Sequence, residues 1–168
     1  MKKRLLYVLM INALCVFVFS TNANAQHKVG AAIIHGDKIN QTGFRADGVI
    51  YLTNTSRLQI DAGIFWPPTD DRRGQRATRS ELDANIHLNI SSNKHLDHYF
   101  LTGLNFTTKD GNEFTTIPER RSQLGINIGT GIQYKLNMGD FFTEAKFVAG
   151  RFNQFVYSTG FRFRLRWL

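Results

Sequence analysis

Three groups of residues in this 168-residue chain have the types and spacing to do chemistry. The first is a nucleophile set. Ser158 near the C-terminus, with His35 and Asp37 near the start of the exported part, would supply a hydroxyl, a base and an orienting carboxylate if the fold joined the two ends. Acyl transfer would also need a donor for the oxyanion, and no local motif supplies one. The second is a basic cluster, Arg72, Arg73, Arg76 and Arg79, followed after the next long link by Arg120 and Arg121. Guanidinium forks suit bidentate contact with phosphates. Asp70, Asp71, Asp110, Glu113 and Glu119 lie among these arginines and offset their charge.

The third group is a set of charges that alternates with apolar residues: Asp47, Asp61, Asp83, Glu144, Lys146, Arg162, Arg164 and Arg166, with Arg45, His87 and Lys135 at the same parity. Alternation collects them on one face of their segments. On an enclosed face opposite charges must pair, because a buried unpaired charge costs several kcal/mol. Glu144 and Arg162 stand on consecutive segments and form the first pair expected. Metal and cofactor chemistry find little support. The five histidines show no ligand spacing beyond His95-x-x-His98, which falls in a turn, and no glycine-rich phosphate loop or catalytic carboxylate pair is present. No metal or cofactor is expected.

The elements that carry these residues follow a period of two. Leu82, Ala84, Ile86, Leu88 and Ile90 alternate with Asp83, Asn85, His87 and Asn89; Leu124 to Tyr134 and Phe161 to Trp167 alternate in the same way. Such alternation marks strands with one apolar and one polar face. Eight segments fit, at about 28–36, 43–54, 57–66, 79–91, 97–108, 121–136, 140–149 and 154–167. Thr53-Asn54-Thr55-Ser56, Ser91 to His95 and Asn137 to Asp140 are short turn sequences, and longer polar links at 36–42, 67–78 and 109–120 lie between them. Short turns at one end and long loops at the other, with Trp66, Tyr99, Phe100, Tyr134, Phe141 and Trp167 near segment ends, describe a membrane barrel with aromatic girdles. In lipid the apolar face points outward and the charges point into the closed sheet. A soluble lipocalin-like barrel would share the periodicity but reverse the faces.

The first 25 residues read differently. Lys2, Lys3 and Arg4 precede an apolar run from Leu5 to Phe19, and Ala23-Asn24-Ala25 ends the segment. These are the three parts of a secretory signal peptide, with cleavage expected after Ala25. The only cysteine, Cys15, lies inside that run. Loss of the three basic residues lowers the formal charge from +8 to +5, and export removes nucleic acid from the expected partners.

Leu124-Gly-Ile-Asn-Ile-Gly-Thr-Gly-Ile-Gln-Tyr-Lys135, Phe142-Thr-Glu-Ala-Lys-Phe147 and Phe161-Arg-Phe-Arg-Leu165 resemble the last three strands of small bacterial outer-membrane β-barrels of the opacity-protein and outer-membrane-protein A/X type. Family members commonly end in an aromatic residue read by the barrel-insertion machinery; here Trp167 stands one position before the end. The resemblance implies a bacterial outer-membrane location, with lipid, lipopolysaccharide and the insertion machinery as partners. The expected protein is all-β: residues 1–25 a signal peptide, and 26–168 an eight-stranded antiparallel up-and-down transmembrane barrel with both termini periplasmic. Its expected role is non-enzymatic, structural or adhesion-like, with a charge-plugged interior. A lipid-modifying enzyme built on Ser158 and His35, or a small pore, is the competing expectation.

Overall fold

The computed structural model describes residues 27–38, 40–66, 77–111, 119–150 and 153–165. Its eight strands are β1 (Lys28–Gly36), β2 (Gln41–Tyr51), β3 (Ser56–Trp66), β4 (Ala77–Ser92), β5 (Leu96–Gly111), β6 (Glu119–Lys135), β7 (Gly139–Ala149) and β8 (Gln154–Arg164). Each pairs antiparallel with its neighbours in chain order, and β1 pairs with β8 to close the barrel. Closure satisfies the ladder of every strand and leaves no edge, the condition for a sheet in hydrocarbon.

The two faces separate as lipid exposure requires. Leu124 on the outside is 67% exposed, whereas Arg162 on the inside is fully buried. Val29, Phe44, Ile64, Leu82, Ile86, Leu104, Ile126, Phe155 and Phe163 are likewise exposed. A soluble protein would not present so continuous an apolar surface to water. No helix among the described residues is long and apolar enough to cross a membrane.

The strand lengths depart from the periodicity-based reading. β4, β5 and β6 run for 16, 16 and 17 residues, against 9 to 11 for the other five. Their upper ends extend into polar stretches where no apolar alternation marks a strand, because a wall standing above the bilayer has no lipid face. Register there pairs Arg79 with Lys109, Lys109 with Arg121, and Asp110 with Arg120. The link between β1 and β2 is correspondingly tighter than the sequence suggests. β1 ends at Gly36 and β2 begins at Gln41, with Asn40 at φ 46°, a left-handed conformation that asparagine tolerates.

Two glycines make room inside. A Cβ at Gly30 would stand 2.6 Å from Cγ of Arg162, and one at Gly131 would meet the ring of Tyr99 at 2.5 Å. Each yields lumen volume to a large side chain from a neighbouring strand. Nearer the loop end of the barrel, Ile34, Phe65, Val148 and Val156 form a small apolar cluster inside the sheet. The expected signal segment, Arg72, Arg73, Arg76, Arg166 and Trp167 all lie outside the described residues.

Candidate functional site

The interior is a continuous polar network with Glu144 at its centre. Alternation on β7 turns Asp140, Phe142, Glu144, Lys146 and Val148 inward, and the neighbouring strands aim donors at Glu144. Its Oε1 accepts from Arg162 Nη2 and from the Tyr99 hydroxyl, both at 2.7 Å. Its Oε2 accepts from Arg45 Nη2 at 2.6 Å and, more weakly, from Ser158 Oγ at 3.4 Å. Strands β2, β5, β7 and β8 are thereby tied across the lumen. Arg162 turns its Nε to Asp47 Oδ2 at 2.6 Å, which also accepts from Gln59 Nε2 at 3.0 Å. The guanidinium of Arg162 lies 3.6 Å from the centroid of the Phe142 ring, a cation–π contact in a dry setting.

A second cluster sits nearer the loop end. Lys146 pairs with Asp83, which also accepts from Asn105 Nδ2 at 2.6 Å. Arg79 lies 3.4 Å from Glu81 and donates to Gln154 Oε1 at 3.1 Å, while Gln154 Nε2 donates back to Glu81 at 3.1 Å. A third cluster fills the end that carries the termini. There Lys28 pairs with Asp140, Arg164 Nη2 donates to Asp140 Oδ1 at 3.1 Å, and Lys135 pairs with Asp97 at 2.6 Å. Arg57 connects this floor to the centre: it donates to His87 Nδ1 at 3.1 Å and to Gln133 Oε1 at 2.9 Å, and lies 4.1 Å from the Tyr99 ring centroid. His87 stacks on the same ring at 4.6 Å.

Several sequence-derived placements change. Ser158 and His35 do not meet. Ser158 faces the lumen and reaches Glu144, whereas His35 faces outward and lies 3.2 Å from Thr42 Oγ1. Register sets Tyr157 opposite His35 and Ile34 opposite Ser158, so the two side chains emerge on opposite faces of the sheet. Asp37 accepts from the backbone N–H of Phe155 at 2.9 Å. Arg79 is not a loop residue; it is buried at the head of β4. Tyr99 is no girdle residue either, being fully buried against the network. Asp61 does not reach Arg162. It accepts from Asn85 Nδ2 at 3.4 Å and has no cation within ion-pairing distance among the described residues. Lys135 stands at the rim with its side chain 27% exposed. Among the described residues no cluster of histidine, cysteine and carboxylates could hold a metal ion.

Lys28, Arg57, Gln59, Glu81, Tyr99, Gln133 and Asp140 are buried network members that the charge pattern did not single out. Parity was signal enough for several of them. Arg57 and Gln59 precede Asp61 by even steps, Glu81 precedes Asp83, and Asp140 precedes Glu144.

Outward hydrophobic faces, a closed eight-stranded sheet and an ionic core together can be compared with known proteins. No family model and no curated protein matches the chain. Solved structures do. The attachment invasion locus protein Ail of Yersinia pestis is 15% identical with a TM-score of 0.59, over 84% of this chain and 97% of that one. Neisserial surface protein A is 12% identical with a TM-score of 0.63, over 84% and 96%. The N-terminal barrel domain of Pseudomonas aeruginosa OprF is 17% identical with a TM-score of 0.60, over 84% and 100%. The fold is that of the small bacterial outer-membrane β-barrels. Its apolar exterior is that of a barrel that sits in a lipid bilayer. Ail has also been crystallised in complex with the heparin analogue sucrose octasulfate.

Proposed function

We propose that this outer-membrane barrel is a non-enzymatic surface-interaction protein whose lumen is closed by its charge network and whose raised extracellular wall engages polyanionic glycans. The observation that carries the reading is the basic register of the wall formed by β4, β5 and β6, where Lys109 stands opposite Arg121 and beside Arg79, whose own buried side chain is already answered by Glu81. Basic residues at adjacent register positions favour an anionic partner between them, and a sulfated or phosphorylated sugar is such a partner. Arginine and lysine supply the phosphate- and sulfate-binding chemistry. The heparin analogue bound to Ail, a barrel of the same fold, adds an analogy at the level of fold. Lipopolysaccharide phosphates in the same leaflet offer equivalent chemistry.

The closed lumen rests on the reach of Glu144 to Arg45, Tyr99, Ser158 and Arg162. An eight-stranded barrel has an interior just wide enough for side chains to fill. Surface binding is tested by measuring the affinity of the folded protein in nanodiscs for sucrose octasulfate and for heparin. The reading expects binding that weakens steeply with salt, and a loss of at least about tenfold in a Lys109→Gln, Arg121→Gln double variant. Undiminished affinity in that variant refutes it.

A further inference from the structure

The end of the barrel that carries the termini holds a cavity of about 230 Å³, lined by Lys28, Tyr51, Asn54, Asn89, Ser92, Asp97, Lys135 and Arg164. In barrels of this fold that end faces the periplasm. We propose that this mouth is a binding site for free phosphate or a phosphate monoester, separate from the extracellular wall and independent of the function proposed for it.

Charge balance is the first argument. Among the described residues, Lys28, Arg57, Lys135 and Arg164 meet only two carboxylates here, Asp97 and Asp140. The central and upper clusters hold one carboxylate beyond their own cations, Asp61, but it stands between Asp47 and Asp83 in the middle of the wall and not at this floor. The floor therefore carries two cations in excess inside low-dielectric walls, which focus the field on the opening. Lys28 and Arg164 are also register partners across the β1–β8 seam, so two like charges are held side by side.

Unspent hydrogen-bonding capacity is the second argument, and it does not depend on the charge count. Arg164 Nε and Arg57 Nη2 are buried donors with no partner. Tyr51 accepts at its hydroxyl oxygen from Lys28 Nζ at 2.6 Å, Arg57 Nη1 at 3.2 Å and Gln133 Nε2 at 3.4 Å. Those donors occupy its lone pairs and leave its own O–H to be given away. Buried polar groups are ordinarily satisfied, so two idle donors on the lining of a cationic cavity, Arg164 Nε and the Tyr51 O–H, favour an acceptor-rich guest. One acceptor is idle too: Asn89 Oδ1 is buried without a partner on the same lining. A guest that offers several oxyanion acceptors and one O–H meets both demands. Monohydrogen phosphate and phosphate monoesters at their second pKa carry such a proton; sulfate and the phosphodiesters of lipid headgroups do not. The volume accommodates a tetrahedral oxyanion together with a few waters.

The test uses the full folded protein in a phosphate-free detergent, titrated calorimetrically with inorganic phosphate, sulfate and a short-chain phosphatidylglycerol below its micelle concentration. Phosphate should bind, and sulfate and the diester should bind at least about tenfold more weakly. Arg164→Gln and Lys135→Gln change side chains that are 28% and 27% exposed, so both variants should still fold. Heat-modifiable gel migration confirms it. Each should lower phosphate affinity at least about tenfold, whereas Lys109→Gln with Arg121→Gln should leave it unchanged. Absence of phosphate binding, sulfate or diester binding as tight as phosphate, or wild-type affinity in both mouth variants overturns the site.

Discussion

Asp47 and Asp61 stand directly opposite one another on β2 and β3, with both carboxylates facing the lumen. Asp83 on β4 is in turn opposite Asp61, so three aspartates occupy one rung of the inner wall. Arg162 answers Asp47 and Lys146 answers Asp83, leaving Asp61 with only an amide donor from Asn85. Asp61→Asn should remove a like-charge repulsion without stranding a cation. It is expected to raise the urea unfolding midpoint by the equivalent of about 0.5–1 kcal/mol. Asp47→Asn and Asp83→Asn should lower it. A midpoint that falls in Asp61→Asn would make Asp61 a working counter-ion instead.

Glu144→Ala is the opposite case. It leaves Arg45 and Arg162 facing each other across the lumen with one acid, Asp47, between them. The loss expected for a fully buried partner is about 3–5 kcal/mol, read as a shift of the same unfolding curve. Recovery of wild-type stability by Glu144→Gln would mean that hydrogen bonding, not charge, holds the centre together.

On the outer face the cost depends on depth. Ile33, 56% exposed near the middle of β1, should cost about 2–4 kcal/mol when replaced by arginine. Phe163 pairs with Gly139 at the periplasmic edge and should cost only about 0–1 kcal/mol on the same substitution. Equal costs in lipid, measured by folding titrations into vesicles, would contradict a membrane frame with Ile33 near its centre.

Planar-bilayer recording addresses the lumen itself. The wild-type protein should give no large, steady conductance, because side chains from β2, β5, β7 and β8 meet at Glu144. Open channels in the wild type would refute the plug and favour the small-pore reading.

Ser158→Ala should leave the lipid A mass spectrum of an expressing strain unchanged, and the protein folded. The serine contributes one 3.4 Å bond to Glu144 and has no histidine within reach. An altered spectrum that the variant abolishes would restore the enzymatic alternative.

Much of this was legible in the chain, and the failures have physical causes. The alternation from Leu82 to Ile90 specifies both the strand and the face of Asp83 and His87, since lipid rewards every second residue. Where lipid is absent the signal stops, so the upper parts of β4, β5 and β6 read as loops. On β5 the inward set mixes Asp97, Tyr99, Leu101 and Asn105, all buried. With no contrast between faces, Tyr99 could be read as a girdle by its position alone. The pairing of Ser158 with His35 failed for a simpler reason: proximity of two strands was considered without the parity that divides their faces. Which carboxylate meets which cation depends on stagger around the barrel, and that stagger is a property of all eight registers together.

The seam between β1 and β8 also bears on how the barrel is completed. β1 brings a single charged residue to the inner wall, Lys28, and closure sets it beside Arg164. That junction repels until Asp140 of β7 lies between the two cations and binds both. The first and last strands therefore meet with their charges balanced only when the penultimate strand stands in its proper register. A one-residue slip of β7 would turn Asp140 to the lipid side and leave the two cations facing each other. The charge that closes the seam is thus supplied by neither of the two strands that meet there.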